Sequence, residues 1–385
     1  MNMLQLTTIV GLLATGMGVA LLGSVKLALA RKLKIDEARV GGMVSVFGFA
    51  MIPVMLTVGF ITDLIGKQPV VIGGSLLMAG SLVLLAWSNT YGPALLAVLL
   101  LSAGWATLIN VINPISLFAF PGTAAYALNL ACFFFGLGAF LTPLVVAYLV
   151  RRLGFRGTLL VLAGFVLLAA VLAFMVDFSA LTQPPGQAAT TAAAGESIAT
   201  LLRDAMLWLC AFALFFYAPL EATMGAWATT YLCDKGVSES SASELLSVFW
   251  LLFTGSRLVT ALTLPKGSEA ALVLAMSVLC IGVWTAVVFS RRRGMAIGSV
   301  VVAGLVFGPI FPTIMALLLG HFPQSLHGRA VGLFFAIGGL GWTAIPMLIG
   351  AYAQRTSVQR GFVMAAASAV GLCAIALTLL LCASG

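Results

Sequence analysis

Residues 156–176 read RGTLLVLAGFVLLAAVLAFMV, and residues 177–199 read DFSALTQPPGQAATTAAAGESIA. The first stretch carries no charge from Gly157 to Val176. That length is sufficient for a helix that crosses about 30 Å of hydrocarbon. The second stretch is polar and rich in Pro, Gly, Ala and Thr, a composition typical of a linker. The sequence therefore predicts a membrane-spanning helix followed by a linker near the middle of the chain.

The composition extends this pattern to the whole chain. Of its 385 residues, 62% are hydrophobic and 8% are charged, whereas an average soluble domain has roughly 25% charged residues. The mean hydropathy is +1.16. These values exclude a soluble enzyme, a nucleic-acid binder and a disordered chain, and the apolar runs are too long for a β-barrel. We therefore predict an all-α membrane protein whose surroundings are the lipid bilayer.

Apolar runs bounded by charged or turn residues predict twelve transmembrane helices, which we number as spans 1 to 12. They fall at about 6–30, 39–62, 69–88, 92–113, 125–150, 156–176, 204–232, 243–263, 269–289, 295–319, 328–352 and 360–382. The linker divides them into six plus six. We predict an N-terminal six-helix bundle at residues 1–176, a linker at 177–202 and a C-terminal six-helix bundle at 203–385.

Short motifs of the first half recur in the second half at offsets of 200 to 203 residues. They are Gly138-x4-Pro143 with Gly341-x4-Pro346, Ser45-Val46-Phe47 with Ser247-Val248-Phe249, and Ala103-Gly104 with Ala303-Gly304. Several matches at nearly one offset indicate a duplicated six-helix unit, and hence two pseudo-symmetric bundles. Parallel repeats of this kind, related by an axis along the membrane normal, are typical of alternating-access carriers.

Three charged residues inside the spans are candidates for ion coupling and gating. Glu221 is the only acid well inside a span; such a group usually faces a cavity or a partner and is a candidate proton site, or else forms a structural hydrogen bond. Lys26 in span 1 is a candidate partner of Glu221 or of an anionic substrate, or it extends to the interface. Arg257 in span 8 either bridges the two halves when a gate closes or anchors the membrane interface.

Amides and indoles inside the spans are the candidate substrate-binding residues. Amides bond to substrate hydroxyls or to neighbouring helices, and indole rings stack on sugar rings or pack against lipid. We expect these candidates to line a central cavity: Asn110, Asn113, Asn129, Trp227, Trp250 and Trp342. No metal, nucleotide or nucleophile motif is present in the sequence. We therefore expect no catalytic residue, no metal and no cofactor, and the chain is predicted not to be an enzyme.

Gly59-x3-Asp63-x2-Gly66-Lys67, between spans 2 and 3, resembles the loop motif of the major facilitator superfamily. The resemblance implies a secondary transporter of a small-molecule substrate, with this loop on the cytoplasmic side. It also implies a gating role in which Asp63 clasps neighbouring helices. The linker and both termini would then be cytoplasmic in a multi-pass protein of the cell membrane, which we expect to be a monomer.

Two further segments resemble fucose–proton symporter-type sugar carriers. Asn113-Pro114, Leu128-Asn129-Leu130, Phe134 and Gly136-x-Gly138 look like spans 4 and 5 of those carriers, and Tyr217-x3-Glu221-x3-Gly225-x-Trp227 is similar to their span 7. The resemblance implies sugar transport coupled to H+. Those symporters also carry acids in spans 1 and 4, whereas span 1 here has none and span 4 has Leu108, Ile109 and Asn110. Uniport therefore remains an alternative.

A second alternative is a carrier of small organic anions. With both termini inside, the external loops carry 13 basic and five acidic residues, the reverse of the positive-inside rule. Such loops would concentrate anions at the outer mouth of the carrier. A membrane receptor or scaffold that transports nothing is the alternative from a different class.

Overall fold

The structure is a computed structural model that describes residues 2–178 and 199–384. Within these residues every regular element is helical, and eleven helical segments are long and apolar enough to cross a membrane. One of them, Ala124–Phe174, contains two helices that meet at Gly154, whose φ of 69° is accessible mainly to glycine. The predicted all-α fold with twelve transmembrane helices is thereby confirmed.

The spans have the following bounds in the structure. Spans 1 to 4 are Met3–Leu33, Glu37–Ile65, Lys67–Trp87 and Tyr91–Ala119, and spans 5 and 6 share Ala124–Phe174. Spans 7 to 9 are Ala205–Asp234, Glu239–Thr263 and Glu269–Phe289. Span 10 consists of two helices, Arg293–Phe307 and Ile310–His321; span 11 is His327–Ala353, and span 12 consists of Val358–Gly361 and Val363–Ser384. Most of the predicted linker at 177–202 lies outside the described residues.

The helices form two compact units. The first contains the described residues up to 122, residues 131–178 and residues 324–333; the second contains residues 123–130, 199–323 and 334–384. The start of span 5 therefore groups with the second unit, and the start of span 11 groups with the first. The bundle boundaries at 1–176 and 203–385 remain a prediction.

A close helix crossing recurs in both units and reflects the sequence repeat. A Cβ added at Gly138 would collide with the backbone oxygen of Leu13, and one added at Gly341 would collide with the backbone oxygen of Phe215. Glycine allows the backbones to approach where no hydrophobic force between helices drives packing in lipid. Span 5 thus meets span 1 as span 11 meets span 7.

Aromatic packing fixes the end of the first helix of span 10. The Phe307 ring is fully buried and stacks on Trp284 of span 9 with 6.1 Å between ring centroids. It also meets the Phe249 ring of span 8 edge to face at 6.4 Å. These contacts hold Phe307, and with it the carbonyl groups that follow, against spans 8 and 9.

Candidate functional site

Span 10 is interrupted at Gly308–Pro309, a feature that we call the span-10 break. The first helix ends at Phe307 and the second begins at Ile310. The Gly308 carbonyl would normally accept from the N–H four residues later, but that residue is Pro312, which has none. A buried carbonyl without a helical donor needs a partner from elsewhere.

Arg257 of span 8 supplies that partner. Its Nε donates to the Gly308 oxygen at 3.0 Å, and its guanidinium carbon lies 4.2 Å from the centroid of the Phe253 ring. The residue is only 3% exposed, so both interactions are shielded from water and strengthened accordingly. Arg257 therefore braces the span-10 break within the second unit, and its predicted gating role remains a prediction.

Tyr217 and Glu221 of span 7 also lie at the span-10 break. They are four residues apart on span 7 and so share one helix face. Tyr217 Oη lies 2.9 Å from Glu221 Oε2 and 2.9 Å from the carbonyl oxygen of Phe307. Tyr217 is buried and Glu221 is partly exposed, and Glu221 also interacts electrostatically with Arg257. The acid identified from the sequence is therefore linked to the end of a broken helix.

Trp250 of span 8 joins the same cluster. Its ring packs against Gly225, where an added Cβ would lie 3.1 Å from Trp250 Cζ2. Gly225 is four residues after Glu221, and Trp250 is seven residues before Arg257, so both pairs share a helix face. Of the residues predicted from the sequence, Glu221 and Arg257 thus interact at the span-10 break, and Trp250 packs on span 7 one turn beyond Glu221.

The other two predicted tryptophans have different surroundings. The Trp227 ring packs against Gly350 of span 11, where an added Cβ would lie 2.9 Å from Trp227 Cζ2. Its Nε1 is buried and has no hydrogen-bond partner among the described residues. Trp342 is 37% exposed. Their contact with substrate remains a prediction.

Two of the predicted amides are buried between helices of the first unit. Asn110 is 0% exposed and its Nδ2 donates to the Met55 carbonyl of span 2 at 3.3 Å. Asn113 is 1% exposed and its Nδ2 donates to the Ile109 carbonyl at 2.7 Å. These contacts favour a packing role, because a substrate would reach either amide only after a rearrangement.

Asn129, the third amide, lies in the second unit at the start of span 5. Its Nδ2 donates to the Ala125 carbonyl at 3.0 Å and to Thr313 Oγ1 of span 10 at 3.3 Å. Its Oδ1 is buried without a partner among the residues that the structure describes. The amide therefore links spans 5 and 10 and has one acceptor left over, so its predicted substrate role stays open.

Asp63 binds the start of span 11 within the first unit. Its two carboxylate oxygens accept from the backbone N–H of Gly328 at 2.9 Å and of Arg329 at 3.0 Å. Arg329 Nε lies 3.3 Å from Asp63 Oδ2. A carboxylate at a helix N-terminus is stabilised by the exposed N–H groups and the helix dipole. Asp63 thus joins spans 2 and 11, as a gating role would require.

Lys26, the second predicted ion-coupling residue, belongs to the first unit. It lies on span 1 and is partly buried. Its pairing with Glu221, which belongs to the second unit, stays a prediction.

The sequence analysis missed four groups that complete these sites. They are the Tyr217 hydroxyl, the carbonyl groups of Phe307 and Gly308, and Arg329. The i, i+4 spacing of Tyr217 and Glu221 and the pair of prolines at 309 and 312 were available signals. Arg329 is separated from Asp63 by 266 positions, and no local pattern in the sequence connects them.

Comparison with known proteins places the chain in a family. A sequence profile of the Major Facilitator Superfamily matches residues 8–346. The inner membrane transport protein YdiM of Escherichia coli (strain K12) is 24% identical over 371 residues, which are 93% of this chain and 89% of YdiM. Bypass of stop codon protein 6 of Saccharomyces cerevisiae is 29% identical over 170 residues. That alignment covers 41% of this chain and spans only 34% of the yeast protein.

Solved structures show the same fold. The transporter FucP in its outward conformation aligns with a TM-score of 0.80 at 15% identity, over 96% of this chain and 97% of FucP. A variant of the E. coli fucose:proton symporter FucP aligns at 0.78 with 16% identity, over 97% and 98% of the two chains. The human organic anion transporter MFSD10 aligns at 0.76 with 15% identity, over 97% and 99%.

The family match covers most of the chain, and the structural matches confirm both the fold and the resemblance drawn from the loop motif. The chain therefore belongs to the Major Facilitator Superfamily, and it is a membrane transport protein and not an enzyme.

Proposed function

We propose that the chain is a secondary active transporter that moves a small polar metabolite, with sugars as the first substrate class, by alternating access coupled to H+. The observation that carries this proposal is the cluster around Glu221. A partly exposed acid inside a span is hydrogen-bonded to a buried hydroxyl and interacts electrostatically with a buried cation at a helix break. Intramembrane acids of this kind commonly belong to proton pathways.

The surroundings of Glu221 support proton coupling because they serve both protonation states. A neutral carboxyl keeps a hydrogen bond with Tyr217, whereas a carboxylate also gains the attraction of Arg257. Coupling requires that the two states of a carrier differ in their affinity for the proton. A change in the distance between spans 7 and 8 would alter the contribution of Arg257 and thereby that affinity.

The preference for a sugar rests on chemistry and on similarity. The Trp250 ring packs against Gly225, one turn of span 7 beyond Glu221, and small-molecule sites typically combine an apolar wall with a few polar groups. FucP, which shares the fold, is a fucose:proton symporter. Neither the position of Trp250 nor the similarity to FucP depends on the buried amides Asn110 and Asn113.

The location and sidedness are also part of the proposal. We place the protein in the cell membrane as a monomer, with both termini in the cytoplasm. The loop that carries Asp63 supports this orientation through its resemblance to the family motif. The distribution of basic residues along the sequence opposes it.

Uptake into liposomes tests the proposed function. Purified protein is reconstituted and given radiolabelled sugars, carboxylates and nucleosides, each with and without an imposed pH gradient. We expect one sugar to accumulate above equilibrium only when the gradient is present. Downhill flux that ignores the gradient would establish a uniporter, and the absence of flux for every compound would contradict the substrate class.

Transport of a small organic anion is the second candidate, favoured by one surface feature. A groove of about 710 Å³ at the ends of spans 9 and 12 is lined in part by Lys235, Arg291 and Arg360. Clustered cations raise the local concentration of anions. If the screen selects a carboxylate, and Arg291→Gln together with Arg360→Gln raises its KM, the anion carrier replaces the sugar symporter.

A further inference from the structure

The number of hydrogens at Tyr217 constrains the protonation of Glu221. Tyr217 Oη lies 2.9 Å from both Glu221 Oε2 and the carbonyl oxygen of Phe307. A phenol has one hydrogen to donate, a carbonyl oxygen can only accept, and a carboxylate can only accept. Both contacts are therefore full hydrogen bonds only when Glu221 is protonated. Its O–H then donates to Tyr217 Oη, and the Tyr217 O–H donates to Phe307.

Loss of the Glu221 proton reverses this arrangement. The Tyr217 hydrogen then has a charged and a neutral acceptor, and hydrogen bonds to charged groups are roughly twice as strong. The hydroxyl turns to the carboxylate, and the Phe307 carbonyl loses its side-chain donor. Because Phe307 is 0% exposed, water does not readily replace that donor.

Loss of the Glu221 proton also attracts Arg257 towards the carboxylate and away from the Gly308 carbonyl. Its guanidinium holds the Gly308 carbonyl at 3.0 Å and also interacts electrostatically with Glu221. Ionised Glu221 therefore attracts both of the donors, Tyr217 and Arg257, that hold the two carbonyls of the span-10 break.

Within the described residues, Arg257 and Cys280 are the other titratable groups that interact with Tyr217 or Glu221 or both. Those that interact with Tyr217 are Glu221 on its own helix, Arg257 from span 8 and the Cys280 thiol from span 9. Those that interact with Glu221 are Tyr217 and Arg257. The hydrogen bonds of Tyr217 and Arg257 to the span-10 break therefore depend on the charge of Glu221.

We propose that Tyr217 is a positioning residue that transmits the protonation state of Glu221 to the span-10 break. The inference rests on the proposed function, in which Glu221 is the proton site, and adds the mechanical output of that site. Protonated Glu221 leaves both donors on the Phe307 and Gly308 carbonyls and holds span 10 firm. Ionised Glu221 draws Tyr217 and Arg257 away from these carbonyls and loosens the break. Binding of one proton thus switches the span-10 break between two states.

Hydrogen–deuterium exchange of span 10 tests this relay. Exchange of peptides covering residues 305–314 is measured by mass spectrometry at a series of pH values and corrected for the intrinsic pH dependence of amide exchange. In the wild-type protein we expect exchange to rise about fivefold as Glu221 ionises, the factor for one ordinary hydrogen bond. Imposed pH-gradient uptake is measured on the same preparations.

Two variants should abolish the pH response in opposite directions. Glu221→Gln donates to Tyr217 at every pH, so span 10 should stay protected throughout. Tyr217→Phe removes the donor to Phe307 at every pH, so the break should exchange rapidly throughout. Tyr231→Phe is the matched control, because its hydroxyl is also buried on span 7 but bonds to Val287 and Ser290; it should respond as the wild type does.

The outcomes separate the relay from the proton site. A pH response that persists in Tyr217→Phe, with Glu221→Gln unresponsive, would overturn the relay and leave Glu221 as the proton site. A wild-type pH response of both exchange and uptake in Glu221→Gln would overturn the proton site itself. If Tyr217→Phe does not fold, Glu221→Gln alone tests the relay. Deuterium exchange of its span-10 peptides must match that of the wild type at low pH and be slower than that of the wild type at high pH. Any other result overturns the relay.

Discussion

Arg257 illustrates how a charge is accommodated in the middle of a membrane protein. Its side chain is 3% exposed, a setting in which an uncompensated charge is costly. Pro312 leaves the Gly308 carbonyl without a helical donor, and Arg257 supplies one at 3.0 Å. The carbonyl thereby gains a donor, and the buried charge gains an acceptor.

Replacement of Arg257 should therefore reduce stability. Arg257→Gln removes a hydrogen bond from a charged donor, which typically contributes about 1.5–3 kcal/mol, and we expect the free energy of unfolding to fall by about that amount. Reversible unfolding in mixed micelles measures it. Arg293→Gln, at an exposed position where span 10 begins, serves as the control, and equal stability of the two variants would contradict the bracing role.

We expect Trp250 to contact the substrate, because its ring packs on span 7 one turn beyond Glu221. Trp250→Ala should weaken sugar binding by on the order of 1–3 kcal/mol, a range taken from the stacking of bases on aromatic side chains. Calorimetric titration of the folded variant measures the change. Trp87→Ala at the end of span 3, 48% exposed, should bind as the wild type does. Wild-type affinity in Trp250→Ala would remove that ring from the site.

At the scale of elements, spans 2 and 11 cross closely where the predicted gating residue Asp63 lies. A Cβ added at Gly328 would lie 2.5 Å from the carbonyl oxygen of Gly59 and 2.5 Å from Asp63 Oδ1. A Cβ added at Gly332, one turn later, would likewise lie 2.6 Å from the carbonyl oxygen of Met55. Small residues spaced by four allow this backbone contact, and the contact lets Asp63 reach the first N–H groups of span 11.

Gly328→Ala should separate these two spans. Overpacking typically costs about 1–3 kcal/mol, and the Asp63 hydrogen bond to the residue-328 N–H would lengthen, so the unfolding temperature should fall by several degrees. Gly320→Ala is the matched control, because an added Cβ there meets nothing within 4 Å. Thermal unfolding in detergent compares the two; equal temperatures would show that the crossing tolerates a side chain.

The elements differ in how far the sequence predicts them. Spans were predictable because their length and apolar content follow directly from the thickness of the bilayer. The span-10 break was not, because Gly308 and Pro309 are equally compatible with a kinked continuous helix. The clasp of Asp63 required its family resemblance, since its partners lie 265 and 266 positions away. Glu221 was found because a single acid in a span is conspicuous, whereas no residue type reveals the backbone carbonyls to which Tyr217 and Arg257 donate.

At the scale of the whole molecule, the sequence repeat and the structure agree in the crossing of Gly138 with span 1 and of Gly341 with span 7. The third repeated motif behaves differently. Gly104 packs on Met78 of span 3, whereas Gly304 packs on the Phe249 carbonyl of span 8. A shared sequence offset therefore identifies equivalent spans without ensuring that each small residue meets an equivalent neighbour.

Sidedness is a prediction about the whole molecule. Single-cysteine labelling in a cysteine-free background should find Gln187→Cys accessible from the cytoplasm and Arg292→Cys accessible from outside. The family motif requires this result because it places the loop of Asp63 in the cytoplasm. The opposite labelling would show that the basic residues, and not the motif, report the orientation.

Transport by Glu221→Gln tests the central claim most directly. Glutamine keeps the size and hydrogen-bonding capacity of the protonated acid but cannot release a proton. In liposomes loaded with substrate, Glu221→Gln should exchange labelled substrate across the membrane as the wild type does, and it should fail to accumulate substrate when a pH gradient is imposed. Glu239→Gln, at an exposed position where span 8 begins, should do both. Accumulation by Glu221→Gln at the wild-type level would contradict proton coupling at this residue.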